Sequence, residues 1–442
     1  MHTVNDKMKM DMPSVPLLSS PPVLSARVVE ARGVVVRVVG ASLRIGEMVR
    51  LIRPDTGEAQ LGEVVGFAQD GAFVVPLDGL AGLSNITQVE GCGLSWGSLD
   101  ALALLGRVVD GLGRPLDGGA PPKAAQMHKS AGMLSHINPL ERPVIATPLA
   151  TGVRAIDGLL TCGVGQRVGI FAPAGGGKST LMGMIANGAN VDVIVIALIG
   201  ERGREVGEFI HDHLHTRRAS SVVIASTSER PAAERIKAAE LACSVASDLR
   251  AQGKQVLLLF DSLTRYARAL REVGLAVGEP PVRRGYPPRV FAELPRLIET
   301  AGLTRQGAVT AFFTVLAEDE EMSDPIAEEA RSLLDGHIQL SARLGASGHY
   351  PAIDVLKSKS RVMTRVTSSV HRDDANRVRS WMSRYQEVEL LLQIGEYRRG
   401  NDSVSDLAID RHQMIERFLC QRHDEYCGWP STIASLRGLA RG

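Results

Sequence analysis

Residues 171–180 read FAPAGGGKST, between the apolar stretch QRVGIF (166–171) and the helix-forming run STLMGMIANG (179–188). A glycine-rich loop joining a strand to a helix gathers backbone amides at the helix N-terminus, where they converge on an anion. The spacing follows G-x-x-x-x-G-K-[ST] with one change: Ala172 stands where the first glycine is usual. Ala174, Gly175, Gly176 and Gly177 would lie against phosphate, and Lys178 supplies the cation for the terminal phosphates. Ser179, followed by Thr180, opens the helix and is placed to ligate Mg²⁺. Ala172 matters only if its position needs positive φ, which alanine tolerates poorly. With three consecutive glycines where the anion would sit, the loop reads as intact.

The surroundings agree. Between 145 and 365 strand and helix patterns alternate, with candidate strands at 166–172, 191–199, 221–226, 255–261, 308–315 and 336–340. Runs such as VDVIVIALIG (191–200) and QVLLLF (255–260) are apolar throughout, the pattern of parallel strands buried on both faces. The spacing therefore predicts an α/β core over 146–370, with helices on both sides of the sheet. Before it, residues 24–92 carry short Val- and Gly-rich alternating stretches punctuated by turns such as PDTGE (54–58), which suits a small antiparallel β-barrel. A flexible lead-in is expected over 1–23 and a Gly/Pro-rich connector over 93–145. Beyond 371 strand patterns stop. Val378, Trp381, Met382, Tyr385, Val388, Leu391 and Leu392 fall on one helical stripe, so a helical C-terminal domain over 371–442 is expected.

Charge and cysteine content narrow the function classes. Lys+Arg 50 against Asp+Glu 49 gives no global pull towards nucleic acid or an anionic membrane. Cys92, Cys162, Cys243, Cys420 and Cys427 are scattered without metal-like spacing, as expected of reduced thiols in a cytoplasmic protein. The apolar runs fall well short of the ~20 residues of a membrane helix, and the N-terminus has no apolar core of a signal peptide.

Two acids stand at strand ends. Asp261 closes the apolar strand in VLLLFDSLTRYA (256–267), the place of a partner for Mg²⁺ and its water, although an acid there also caps helices. Glu201 follows another strand in LIGERGREVGEF (198–209), where it would orient and polarise an attacking water; Arg202 beside it would contact phosphate. The alternative for Glu201 and Arg202 is a surface ion pair.

The loop, GERGRE, DSLTRYARALREVGLAVGEPP (261–281), GYPPRVFAELPRLIETAG (285–302), DPIAEEARSLLDGHIQLSARL (324–344) and HYPAIDVLKSKSRVM (349–363), in this order, closely resemble the catalytic subunits of rotary-type ATPases and their secretion relatives. The match is nearest to the type III protein-secretion ATPases and covers about 25–440. The resemblance implies a RecA-like P-loop core between a β-barrel and a helical domain, in a homohexamer that uses ATP and Mg²⁺. It implies that Lys178 and Ser179 serve as loop lysine and metal ligand, Glu201 as catalytic glutamate, and Asp261 as the second metal-site acid. Arg361 then matches the arginine finger given to the neighbouring subunit, and Tyr350 the aromatic that packs on adenine. For Tyr350 a core tyrosine, and for Arg361 a surface arginine, are the bland alternatives.

The same resemblance implies a motor that releases export substrates from chaperones and unfolds them. Its partners would be a central stalk, a peripheral regulator and an export gate at the inner face of the cytoplasmic membrane, reached without a membrane span of its own. STSERPAAERIKAAE (226–240) looks more like the injectisome branch than the flagellar one. A flagellar export ATPase and a rotary synthase subunit remain alternatives. A ring helicase would want a basic, aromatic N-terminal barrel, whereas residues 1–92 hold eight Lys/Arg against ten Asp/Glu, with only Phe67 and Phe73 as aromatics. A non-catalytic ring subunit would have no need to keep Lys178, Glu201 and Arg361 together. Lys357 and Lys359 depart from the family pattern by adding charge just before the finger. Arg283 and Arg284 would line a central channel, or be a solvated pair.

Overall fold

A computed structural model of the chain describes residues 26–93, 99–122, 139–173, 175–214, 216–317 and 324–441. The lead-in expected over 1–23, part of the connector, and Ala174 lie outside the described residues.

Six strands, β1 (Ala26–Arg32), β2 (Val35–Val39), β3 (Met48–Ile52), β4 (Ala59–Ala68), β5 (Gly71–Pro76) and β6 (Gln88–Gly91), close an antiparallel barrel in the order β1-β2-β5-β4-β3-β6. Alternate residues of these short strands turn inward, so Val36, Val38, Val49, Leu51, Val64, Val74 and Val89 fill the interior. Gly71, opening β5, passes so close to β2 that a Cβ there would meet the Val38 carbonyl oxygen at 2.2 Å.

Nine strands form the central sheet: β7 (Val108–Val109), β8 (Arg167–Ala172), β9 (Val193–Ile199), β10 (Ser221–Ser226), β11 (Gln255–Asp261), β12 (Gly302–Leu303), β13 (Ala308–Leu316), β14 (Gly336–Leu340) and β15 (Ile353–Ser360). The order is β15-β14-β8-β13-β11-β9-β10-β7, with β12 beside β13. All pairs along this path are parallel except the edge pair β14–β15. Two strands start later than their apolar runs suggest. Gln166 is kept out of β8 because its side chain accepts from the Gly163 amide and closes the preceding turn, and Val191 is taken by a turn onto Ala189.

The helices are α1 (Arg154–Leu159), α2 (Lys178–Gly188), α3 (Gly203–Glu208), α4 (Ala232–Ala251), α5 (Leu263–Ala276), α6 (Pro288–Ile298), α7 (Pro325–Leu333), α8 (Ala342–Ala346), α9 (Met363–Val366), α10 (Ser369–Gln393), α11 (Ser403–Leu419) and α12 (Trp429–Arg441). Successive residues of β9 and β11 enter opposite cores. Ile194, Ile196, Leu257 and Leu259 pack with α1, α2 and the C-terminal helices, while Val195, Ala197, Leu258 and Phe260 pack with α4 to α7. Burial on both faces is why these strands read as unbroken apolar runs. On α10, Val378, Trp381 and Val388 are buried as the stripe predicts. Leu391 departs from it: in the helix's last turn, with Leu390 and Ile394 beside it, it faces solvent.

Charged groups join barrel, connector and core. Arg114 donates to Asp78 at the barrel rim (2.7 Å), to Asp110 (2.5 Å), and to the fully buried Glu234 of α4 (3.4 Å). Arg230 and Ser226 also donate to Glu234. Removing one member of a buried ionic set strands the others in low dielectric. Glu234→Ala is therefore expected to cost about 3–5 kcal/mol, read as a lowered urea midpoint by far-ultraviolet circular dichroism. A loss below about 1 kcal/mol, the range of an exposed pair, would show that solvent screens this network.

Candidate active site

β8 ends at Ala172, whose methyl is fully buried, and Gly175 and Gly177 then take φ of 74° and 81°. Arg284 is the one non-glycine with positive φ among the described residues, so Ala172 has no left-handed backbone to strain it. The glycine that the pattern usually places first is not needed for the turn. Gly177 caps α2 in the left-handed conformation, which frees the first-turn amides to face the loop's concavity. Lys178 opens α2; Ser179 is exposed on its first turn, and Thr180 is half-buried behind it.

Parallel neighbours β8, β13, β11 and β9 end on the same side of the sheet, which brings residues far apart in sequence to one place. Lys178 Nζ lies 2.6 Å from Asp261 Oδ1 and 3.3 Å from Glu201 Oε1. Both carboxylates are almost wholly buried. Thr314 Oγ1 on β13 donates to Asp261 (2.6 Å), and Arg265 Nε on α5 donates to Glu201 (3.1 Å). Two acids facing two cations give a cluster with no net charge. Burial works against the Lys178 ammonium, yet Asp261 and Glu201 more than offset it and hold its pKa above the ordinary lysine value. The lysine is a fixed cation across the physiological range.

The alternatives left open by sequence resolve locally. Ser262, not Asp261, caps α5 by accepting from the Arg265 amide. Glu201 pairs with Lys178 and Arg265, not with its neighbour. Arg202 turns outward, its side chain 74% exposed and 3.8 Å from Glu205, so it stands apart from the cluster. Tyr350 is 47% exposed rather than a core residue, and a Cβ on Gly177 would come within 3.7 Å of its ring. That leaves an open aromatic face beside the loop.

Arg361 lies at the other end of the sheet. Its amide donates to the Asp335 carbonyl, and the Asp335 amide donates to the carbonyl of Arg167, the first residue of β8. At about 3.3 Å per residue the loop after Ala172 is roughly 17 Å further along. Among the described residues the exposed guanidinium donates to the Arg331 carbonyl (3.2 Å) and to no other group. Lys357, Lys359 and Arg361 are exposed at every second residue along the β15 edge, with Lys357 3.9 Å from Asp354. Arg283 bonds to Glu328 on α7 and lies over the Phe291 ring, so it is tied within its own chain. Among the described residues no helix is long and apolar enough to cross a membrane.

Sequence reasoning missed Arg265 and Thr314. Arg265 follows Asp261 by four residues on a helix starting at residue 263, a spacing that puts it back over the strand end. Thr314 carried no signal beyond being one of two threonines, with Thr310, in an otherwise apolar strand.

Residues 152–360 match the nucleotide-binding domain of the ATP synthase alpha/beta family, and 367–438 match the C-terminal domain of the type III secretion ATPase EscN. The type 3 secretion system ATPase of Xanthomonas euvesicatoria is 50% identical over 425 residues, 93% of each chain. The flagellum-specific ATP synthase of Bacillus subtilis is 43% identical over 409 residues, 92% of this chain and 93% of the relative. The structure of assembled EscN from enteropathogenic E. coli superposes with a TM-score of 0.88 at 44% identity, over 94% of this chain and all of that one. EscN with its central stalk EscO gives 0.84 at 43% identity, with the same shares covered. Barrel, nucleotide sheet and helical domain thus recur together at close to half identity along nearly the whole chain, and it belongs to the type 3 secretion system ATPases.

Proposed function

We propose that this ATP-hydrolysing export enzyme works as a homohexameric ring in which each nucleotide site is completed by Arg361 of the adjacent copy. One observation carries the reading: Lys178, Glu201 and Asp261 converge behind the loop, whereas Arg361 stands roughly 17 Å away at the opposite sheet end. A finger so placed can serve only another subunit. The three-part division 24–92, 146–370 and 371–442, joined by 93–145, belongs to this reading.

In each site the loop from Ala174 to Thr180 wraps the phosphates with its amides, and Lys178 passes from its carboxylates to the terminal phosphate oxygens. Glu201, held in place by the hydrogen bond from Arg265, orients and polarises the attacking water. Arg202, exposed as it is, is assigned a place at the subunit boundary rather than on the water. Ser179 and Asp261 would hold Mg²⁺; the donors are hard oxygens, and the Thr314 hydrogen bond fixes the Asp261 carboxylate. Once bound, that ion neutralises charge developing on the phosphates. Tyr350 packs on adenine. Because a ring contact of this kind contributes about 0.5–1.5 kcal/mol, Tyr350→Ala is expected to raise the KM for ATP by about two- to thirteenfold with kcat within about twofold. An unchanged KM would remove Tyr350 from the adenine site.

The likeness to EscN solved with its central stalk supports a stalk partner here. The reading extends to a peripheral regulator, an export gate and chaperone–substrate complexes that the motor dissociates and unfolds, at the cytoplasmic face of the inner membrane and held there through partners. Nucleic acid has no place in it. The test is ATPase activity per subunit against protein concentration. Activity should climb steeply as rings assemble; a rate per subunit that stays flat from dilute to concentrated protein would sink the shared site.

A further inference from the structure

Among the described residues one trio of metal-ligating side chains lies outside the nucleotide cluster: His349, Glu416 and Cys420, whose ligating atoms all fall within 4.8 Å of one another. His349 sits in the loop entering β15, just before Tyr350; Glu416 and Cys420 are one turn apart at the end of α11. The His349 side chain is 6% exposed, with Nδ1 2.8 Å from Glu416 Oε2, while the Glu416 carboxylate is 38% exposed and opens the trio to solvent. We propose that His349, Glu416 and Cys420 form a divalent-metal site of zinc type, with imidazole, carboxylate and thiolate ligands and water in the fourth position.

The donor set decides the ion. Nitrogen, oxygen and sulfur together suit Zn²⁺, at about 2.0–2.3 Å in a tetrahedron, and the thiolate is a poor ligand for Mg²⁺. Tetrahedral ligands at those lengths stand about 3.3–3.8 Å apart, a spacing bracketed by the 2.8 Å between His349 and Glu416 and the 4.8 Å that bounds the trio. The His349 hydrogen bond holds the Glu416 carboxyl below its usual range, so it is ready as an anion. Burial and the Glu416 charge push the Cys420 thiol up, with the Tyr350 amide opposing, so the thiol gives up its proton when the metal–sulfur bond forms. The balance is one thiol and one aquated ion giving a metal thiolate and one proton.

The position has a consequence for the enzyme. The Gln421 amide already donates to the Tyr350 carbonyl (2.8 Å). A bound ion would pin the Tyr350 loop to the C-terminal helical domain, one residue from the ring beside the phosphate loop. The proposal does not depend on the shared-site reading.

The experiment titrates chelator-treated full-length protein with Co²⁺ alone, then with Zn²⁺. Expected are one equivalent bound, a near-ultraviolet thiolate-to-cobalt charge-transfer band with the strong visible bands of a four-coordinate ion, displacement by Zn²⁺, and about one proton released per ion. C420S should lose the charge-transfer band. E416Q, which leaves the thiol in place and guards against a misfolded C420S, should keep the band with affinity about tenfold weaker or worse. A wild-type titration without charge transfer, a band that survives C420S, or E416Q binding as tightly as wild type would overturn the site.

Discussion

Arg361→Ala protein is expected to form rings and bind ATP while its kcat falls by about 10³–10⁵-fold, the range removed with a finger arginine in related NTPases. The structure gives reasons to expect the loss without misfolding. The guanidinium is exposed, its one hydrogen bond among the described residues is to the Arg331 carbonyl, and the Arg361 amide keeps its bond to Asp335 whatever the side chain. Surface changes of this kind usually move stability by no more than about 0.5 kcal/mol, so an unchanged melting temperature is the control. Arg361→Lys should recover only part of the rate, since a point charge replaces a planar fork of donors. The decisive form is a mixture. Rings that combine Arg361→Ala subunits with Glu201→Gln subunits contain interfaces where an intact Glu201 meets an intact Arg361, so mixing two nearly inactive proteins should restore measurable turnover. No recovery on mixing, in rings shown to contain both variants, would place the arginine's action within its own chain.

The phosphate loop and the strands beside it were legible because burial on both faces leaves a plain trace in the sequence. Continuous apolar runs ended by glycine, Asp261 or Glu201 can hardly be anything but central parallel strands. Ala172 raised a question that only backbone geometry answers: the residue is extended, and the positive φ falls at Gly175 and Gly177 instead. Arg202 was a natural choice as the neighbour of Glu201, but α3 begins at Gly203 and aims the arginine at Glu205. Sequence adjacency says nothing about which of two consecutive side chains turns inward. Arg265 and Thr314 escaped for a related reason, since their roles arise from strand order, and strand order puts β13 and β11 side by side although Asp261 and Thr314 are 53 residues apart. His349 and Glu416, 67 residues apart, meet only because the C-terminal helices fold back onto the core.

Glu201→Gln separates binding from chemistry within one site. The substituted amide keeps the shape of the glutamate but can no longer polarise a water, a contribution of about 10²–10⁴ in rate for a positioned base. The affinity for ATP should hold or improve, because one of the two negative charges facing Lys178 and the incoming phosphates is gone. A fall in kcat with an equal or lower KM is therefore the expected signature. Loss of the loop's phosphate-binding role, as in Lys178→Ala, should instead weaken binding itself. The structural cost of the glutamine is small: Arg265 loses a charged partner but its side chain is 28% exposed and solvent takes its place, while Lys178 keeps Asp261 at 2.6 Å. Turnover within about twofold of the parent would reduce Glu201 to a buried counter-ion for Lys178 and Arg265. The water would then need another base, and Asp261 is the only other carboxylate within reach of the cluster among the described residues.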